Sequence, residues 1–459
     1  MHHSLPKELL TSLEGVEGYN GPAFEKVHAD GRQVTSIRIN PLKILSGGLS
    51  LPPGATERVP WSSFGYYLDE RPSFTFDPSF HAGAYYVQEA SSMFLEQVLR
   101  QTTDLSRPLR VLDLCAAPGG KSTLIQSLLS PSSLLVSNEV IRPRVNILQE
   151  NMTKWGAPNV VITNNDARDF QRAEDYFDVI VVDAPCSGSG LFRREPEAIG
   201  EWSVENVQLC CQRQQRILAD CWPALRQGGI LIYSTCSYSK EEDEEILDWM
   251  MEELQATNCQ LRVEAEWNIV EARGRKGGYG YRFYPDRLKG EGFFIAAVRK
   301  EDGGDFVYPK NKKQGLEKLT RQEEERMRPW IKQEAPLFFF RHHEQVVALP
   351  ASLAEDLSYL QSFCYIKKAG IVTGQLAAKE FIPEHDLALS SLINGDVPVL
   401  AATKEQAIQY LRKEEVKIGT ELRGWALVQY AGLNLGWIKI LPNRANNYYP
   451  KEWRILKRE

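Results

Sequence analysis

Between residues 109 and 298 the chain alternates between two kinds of hydrophobic pattern. Short apolar runs rich in β-branched residues lie at 109 to 115 (LRVLDLC), 134 to 139, 160 to 164, 177 to 183 (FDVIVVD), 229 to 235 (GILIYST) and 292 to 298. Runs of this length that end in polar residues or glycine read as strands buried on both faces. Longer amphipathic stretches at 121 to 130, 142 to 155, 203 to 227 and 240 to 257 read as helices. The last opens with Glu241, Glu242 and Asp243, acids that suit the positive end of a helix. Strand and helix in alternation predict an α/β fold with a doubly wound, mostly parallel sheet. Its right-handed crossovers bring every strand's C-terminal end to one edge, where ligands bind.

The flanks have a different texture. Residues 301 to 333 hold few large aliphatic residues and many mixed charges, which reads as a charged linker leading into a charged helix. The expected division is an N-terminal extension over 1–85, the core over 86–300, the linker over 301–333, a small middle domain over 334–388 and a last domain over 389–459. In that last part, 424 to 440 (GWALVQYAGLNLGWIKI) predicts two strands around a Gly-Leu-Asn turn. A chain of 459 residues, 43% of them hydrophobic, is long enough for several cores. No internal repeat points to a solenoid or propeller.

A formal net charge of −6 removes whole-chain basicity as a reason to expect nucleic acid, so an RNA site has to be a local patch. Segment 271–290 (EARGRKGGYGYRFYPDRLKG) sets six basic residues against Glu271 and Asp286, with Tyr279, Tyr281, Phe283 and Tyr284 interleaved. Segment 439–459 sets six against Glu452 and Glu459, with Tyr448, Tyr449 and Trp453. Aromatic rings that stack on bases beside cations that meet phosphates suit looped RNA. Packed tyrosines in a solvated loop are the alternative for the first segment. No apolar run approaches the roughly 18 residues that span a bilayer, and Lys7, Glu8, Glu14 and Glu17 interrupt the start, where a signal peptide needs an apolar stretch. The expectation is a cytoplasmic protein whose eight cysteines are free thiols.

The first predicted strand runs into Cys115-Ala116-Ala117-Pro118-Gly119-Gly120-Lys121. Two glycines let the backbone curl and aim N–H groups at an anionic ligand at a helix start. A phosphate-binding P-loop is excluded because Cys115 stands where its first glycine belongs. Glu139 ends the second strand, where doubly wound folds place a carboxylate for ribose hydroxyls, so a ribose-bearing cofactor is implied. Asp166 follows the third strand and Asp183 the fourth; any one such acid could equally be a helix cap, but the ordered set points to a site.

Asp183-Ala184-Pro185-Cys186-Ser187-Gly188-Ser189-Gly190 follows the fourth strand and Ser234-Thr235-Cys236-Ser237 the fifth, so Cys186 and Cys236 should face one crevice. The bland reading of a cysteine, a small buried hydrophobe, is kept for Cys210, Cys211, Cys221, Cys259 and Cys364. Carbon 5 of cytosine is too weak a nucleophile to take a methyl group, but a thiolate added to carbon 6 turns the ring into an enamine that can. A second thiol can then assist loss of the carbon-5 proton.

The ordered motifs at 113 to 121, 183 to 190 and 233 to 237 resemble those of the Sun/Fmu family of RNA cytosine-C5 methyltransferases. The resemblance covers roughly residues 30 to 300, with Ser36 to Leu42 and Gln88 to Ser92 included. It implies a Rossmann-like class I methyltransferase core with a mostly parallel seven-stranded sheet, an N-terminal α/β extension and a C-terminal PUA-like RNA-binding region. It makes Cys236 similar to the nucleophile and Cys186 to the cysteine that helps release product. Asp183 would hydrogen-bond the cytosine and the methyl donor's amino end. Residues Cys115, Ala116, Ala117, Pro118, Gly119, Gly120 and Lys121 would hold the amino-acid part of S-adenosyl-L-methionine, Glu139 its ribose and Asp166 its adenine. Arg144 matches a family position and could equally be an exposed helix residue. A histidine often found before Gly290-Glu291-Gly292 is replaced by Leu288-Lys289. DNA cytosine methyltransferases attack with a Pro-Cys thiol, so the Thr-Cys pair favours RNA.

The C-terminal half, with Asn443, Asn446, Asn447 and Tyr-Tyr-Pro at 448 to 450, is similar to the RsmF/YebU subgroup, which implies 16S ribosomal RNA or the small subunit as partner. No metal, no membrane and no partner subunit is expected. Methylation of transfer RNA, or a non-catalytic role in ribosome assembly, are the alternative readings.

Overall fold

A computed structural model describes residues 4–47, 51–304, 306–308, 316–332, 336–378, 380–416 and 420–457. Its central sheet contains the six expected strands and one more: β1 (Arg110–Asp113), β2 (Leu134–Asn138), β3 (Val160–Thr163), β4 (Phe177–Asp183), β5 (Leu225–Thr235), β6 (Tyr279–Phe283) and β7 (Phe293–Arg299). They lie in the order β6-β7-β5-β4-β1-β2-β3. The run from β3 to β5 is parallel, and β7 and β6 are antiparallel. The order reverses at β1, so β1 and β4 open a crevice at their C-terminal ends.

Alternation along each strand divides the core into two faces. Leu112, Ile180 and Leu231 pack on one side, with Leu218 of α3 (Val204–Cys221) and Leu247 of α4 (Glu244–Glu253). Val111, Val179 and Ile232 pack on the other, with Leu124 of α1 (Gly120–Leu128) and Leu148 of α2 (Arg142–Trp155). The helix expected over 203–227 stops at Cys221, since Pro223 cannot continue it. Ser203 starts it by accepting a hydrogen bond from Asn206 N at 3.1 Å.

The sheet is larger than expected because three flanking strands extend it to ten. Val270–Arg273 pairs with β6, Thr257–Asn258 with β7, and Ile366–Ala369 with β3. The last comes from the segment expected as a separate middle domain. It covers an edge strand whose backbone groups would otherwise be open. Asn165 Oδ1 accepts from Tyr365 N at 2.9 Å and ties that junction. The rest of the segment supplies four strands of a five-stranded antiparallel sheet, up to Phe381–Pro383, and the fifth, Glu317–Lys318, comes from the expected linker. In the linker expected over 301–333, the charged helix is Arg321–Met327, capped by Thr320 and Glu323, while 305, 309–315 and 333 lie outside the described residues.

The ends of the chain meet. The N-terminal sheet (Thr35–Ile39, Ala55–Arg58, Gly65–Leu68, Tyr85–Val87) shares a core with the C-terminal sheet and its helix Lys404–Leu411, through Ile37 and Tyr85 on one side and Val428 and Ile408 on the other. In the C-terminal hairpin Gly424–Tyr430 and Leu433–Ile440, the turn is Ala431-Gly432, not Gly-Leu-Asn. Both turn residues have positive φ, 47° and 80°, which matches the twist of a two-residue hairpin and leaves Leu433 and Asn434 in the strand.

Candidate active site

The loop after β1 is built around Gly119, whose φ of 114° is open to glycine and strained for other residues. Helix α1 starts directly behind it. The loop is held from outside: Asn138 O accepts from Ala116 N at 2.8 Å, and Arg144 donates to Ala117 O at 2.5 Å. Arg38, fully buried, donates to Gln88, Ser127, Thr123 and Gly120 O, so the Ser36–Leu42 motif fastens the N-terminal extension to α1. At the end of β1, Ser122 donates to Asp113 Oδ2 at 2.6 Å, and burial pushes Asp113 up to about 7. Burial likewise drives the Cys115 thiol well above the usual range, which suits a structural cysteine.

Glu139 stands at the end of β2. Its Oε1 accepts from Ile141 N at 2.8 Å, whereas Oε2 is buried without a hydrogen bond and faces Arg144 Nη1 at 3.4 Å. An acceptor left in this state beside a glycine loop fits the ribose of an adenosyl cofactor. Arg144 is therefore more than an exposed helix residue, because it bridges loop and acid. Asp166 follows β3 and caps the short helix Ala167–Arg172 in a capping box with Asp169. Its side chain remains 40% exposed.

At the end of β4, Asp183 Oδ1 takes both Lys121 Nζ and Ser234 Oγ at 2.8 Å. Its Oδ2 takes no hydrogen bond from the described residues. The loops after β4 and β5 then converge, with Cys186 Sγ and Cys236 Sγ 3.1 Å apart, inside van der Waals contact. Contact with Cys236, then burial, drive the Cys186 thiol well above the ordinary cysteine range. Gly190 makes this approach possible: its N–H donates to Cys236 O at 2.9 Å, and a Cβ there would stand 2.4 Å from Gly292 O. Of the five cysteines read as small buried hydrophobes, Cys210, Cys211 and Cys221 are buried, whereas Cys259 and Cys364 are only partly so.

The acidic run 241–243 behaves differently from expectation. It forms a 3-10 turn, Lys240–Glu242, before α4 starts at Glu244. Glu242 turns inward and accepts from Ser187 N, Ser187 Oγ, Ser237 Oγ and Gln214 Nε2. Asp243 accepts from Thr235 Oγ1 at 2.6 Å and pairs with Arg282, which also clamps Glu244 with two bonds of 2.5 and 2.6 Å. Reading these acids as a helix start missed both roles; the paired serines after the cysteines were the available signal.

Arg282 also corrects the reading of segment 271–290. Tyr281, Phe283 and Tyr284 are buried, and so is Arg282. The segment is a hairpin that completes the sheet, because β7 needs a partner and these rings fill both faces. Its exposed cations are Arg273, Arg275 and Lys276 near the turn and Arg287 and Lys289 beyond it. In the tail, Tyr449 is buried and Tyr448 is 40% exposed.

Family models match along the chain. They are the N-terminal domain of 16S rRNA methyltransferase RsmF at 5–90, 16S rRNA methyltransferase RsmB/F at 101–299 and the methyltransferase RsmF PUA domain at 397–455. The ribosomal RNA small subunit methyltransferase F of Shewanella woodyi is 31% identical over 441 residues, 91% of this chain and 90% of its own. The chain belongs to the ribosomal RNA small subunit methyltransferase F family. The family's protein from Shewanella piezotolerans is 27% identical over 435 residues, again 91% and 90% of the two chains. Among solved structures, NSun6 from Pyrococcus horikoshii with SFG superposes with a TM-score of 0.53 at 21% identity, over 66% of this chain and 100% of that one, a likeness of fold. The crevice thus belongs to an rRNA methyltransferase family with a PUA domain at its C-terminus. Among the described residues no helix is long and apolar enough to cross a membrane.

Proposed function

We propose that this protein methylates carbon 5 of a cytosine in 16S ribosomal RNA, with S-adenosyl-L-methionine as cofactor. The observation that carries the reading is the contact of Cys186 and Cys236 next to the Lys121–Asp183 pair, in a chain of the methyltransferase F family. When bound, S-adenosyl-L-methionine supplies an electrophilic methyl group for carbon 5. Residues Cys115 to Lys121 hold its amino-acid part, Glu139 its ribose and Asp166 its adenine.

Cys236 adds as thiolate to carbon 6 of the extruded base, which makes carbon 5 an enamine carbon. With the proton on Cys186, its S–H donates toward the attacking sulfur. As Cys236 adds, the displaced electron pair reaches N3, which takes a proton from water by way of Asp183 Oδ2, while Lys121 and Ser234 hold Oδ1. Once Cys236 is bound to carbon, the contact that most opposes ionisation of Cys186 is gone. Cys186 then releases its proton to water and, as thiolate, takes the carbon-5 proton; the electron pair left behind expels Cys236 from carbon 6, and N3 returns its proton to water.

The segments divide the work as extension (1–85), catalytic core (86–300) and PUA-like region (389–459), with the last reading RNA shape. The protein acts as a monomer in the cytoplasm and uses no metal. Bisulfite sequencing of 16S RNA from a deletion strain tests the reading. Cytosine methylation should be lost at its site and regained on complementation; an unchanged map rejects the proposal.

A further inference from the structure

The acids under the two thiols are not equivalent. Asp243 and Glu244 share a cation, Arg282. Glu242, fully buried, is held by neutral donors: at Oε1 by Ser187 N at 2.8 Å and Gln214 Nε2 at 3.1 Å, at Oε2 by the hydroxyls of Ser187 at 2.5 Å and Ser237 at 2.6 Å. A buried carboxylate without a counter-ion is costly, and burial raises its pKa against the pull of those bonds. An apolar side chain of similar size would fill the space at less cost, so packing alone accounts poorly for it.

The donors indicate its purpose. Ser187 follows Cys186 and Ser237 follows Cys236, so the Cys-Ser step repeated in two loops converges on a single carboxylate. A carboxylate offers acceptor sites only, about four of them, which suits four converging donors. Gln214 extends the clamp by donating also to Pro185 O at 3.0 Å, just before Cys186. We infer that Glu242 is a positioning residue: by accepting from the serine after each cysteine, it holds the Cys186 and Cys236 sulfurs in contact and sets the attacking thiol against its partner. Its catalytic meaning rests on the roles proposed above for the two cysteines. Its charge also opposes ionisation of Cys186, which a pH profile can detect.

Thiol capture tests the positioning without RNA or cofactor. The full chain is treated with diamide, which accepts two electrons and two protons from the thiols and becomes a hydrazine as the disulfide forms; peptide mapping then reads the 186–236 link. The wild type should link rapidly. Glu242→Ala should link about tenfold more slowly and lose about 100-fold in kcat with KM for S-adenosyl-L-methionine unchanged, since small misplacements of reacting groups cost that much. Glu242→Gln, which keeps shape and most bonds, should restore linking to within about threefold and shift the alkaline limb of the kcat profile to lower pH. A folded Glu242→Ala protein that links and turns over at wild-type rates overturns the inference. If that variant does not fold, Ser237→Ala decides: slower linking supports the clamp, and an unchanged rate rejects it. Slower linking in the variants, with no cytosine methylated by the wild type, would uphold the clamp and sink the proposed function.

Discussion

In the loops at 183–190 and 234–237, serines converge on Glu242 and leave two touching sulfurs partly open, whereas in the hairpin of Val270–Arg273 and Tyr279–Phe283 the polar groups are closed off by one another. Both regions hold charges and aromatic or sulfur-bearing side chains. In the hairpin, Arg282 is used up by Asp243 and Glu244, and the rings by the two faces of the sheet. At the neighbouring strand ends, Glu139 Oε2 makes no hydrogen bond and faces Arg144 at 3.4 Å, and Asp183 Oδ2 takes none from the described residues. Composition alone cannot separate these cases, because a cation and a tyrosine suit either packing or a ligand. What separates them is whether each polar atom already has its partner.

The sharpest way to press the contrast is to remove each sulfur. Cys236→Ala should abolish methylation, while Cys186→Ala should turn over poorly and accumulate a protein–RNA adduct that survives denaturing electrophoresis. An adduct in the Cys236 variant instead would exchange the roles. Next comes the hairpin: Arg282→Met leaves Asp243 and Glu244 buried without their cation, which should cost about 3–5 kcal/mol of stability in urea titration. A shift under 1 kcal/mol would mean that the cluster is not sealed, since about 1 kcal/mol is ordinary for any substitution.

A further effect, at the end of β1 beside these regions, is read by pH. Asp113, raised to about 7 when folded and near 3.9 when unfolded, makes the folded state hold an extra proton between those values. Stability should therefore fall as pH rises from about 4 to about 7 and level off above, and Asp113→Asn should flatten that slope in urea midpoints. The smallest change is expected at the hairpin turn. Arg275 and Lys276 are exposed; Arg275 lies 3.7 and 3.8 Å from Glu245 and Asp248, and Lys276 makes a solvent-exposed pair with Glu252 at 3.1 Å. Replacing both by alanine should leave stability within about 0.5 kcal/mol. It should leave RNA affinity, measured at fixed salt, within about threefold, at most one phosphate contact's worth. A larger loss of affinity would return this turn to the RNA surface.

Much of the fold was legible in residue order. Period and length marked β1 to β5 and β7, and strand ends marked Gly119, Glu139, Asp166, Asp183, Cys186 and Cys236, since a parallel sheet with right-handed crossovers sends successive strand ends to one edge. β6 was hidden because its tyrosines and Arg282 looked like a ligand surface. The strand Ile366–Ala369 was hidden because pairing between residues 160 and 370 leaves no local pattern. The bulk of the N-terminal extension gave no sign of the core it shares with the C-terminal sheet.

Sequence by itself determined which residues stand at the C-terminal edge of the sheet, because spacing along a doubly wound chain is a topological constraint that needs no coordinates. Tertiary structure alone decided which polar atoms were left for a ligand. It turned Glu242 from a helix start into the common partner of two serines, and Arg282 from an RNA contact into the counter-ion of buried acids. Both decisions depend on burial and on distances between residues tens of positions apart, where desolvation makes every unpaired charge costly and so dictates which pairs form.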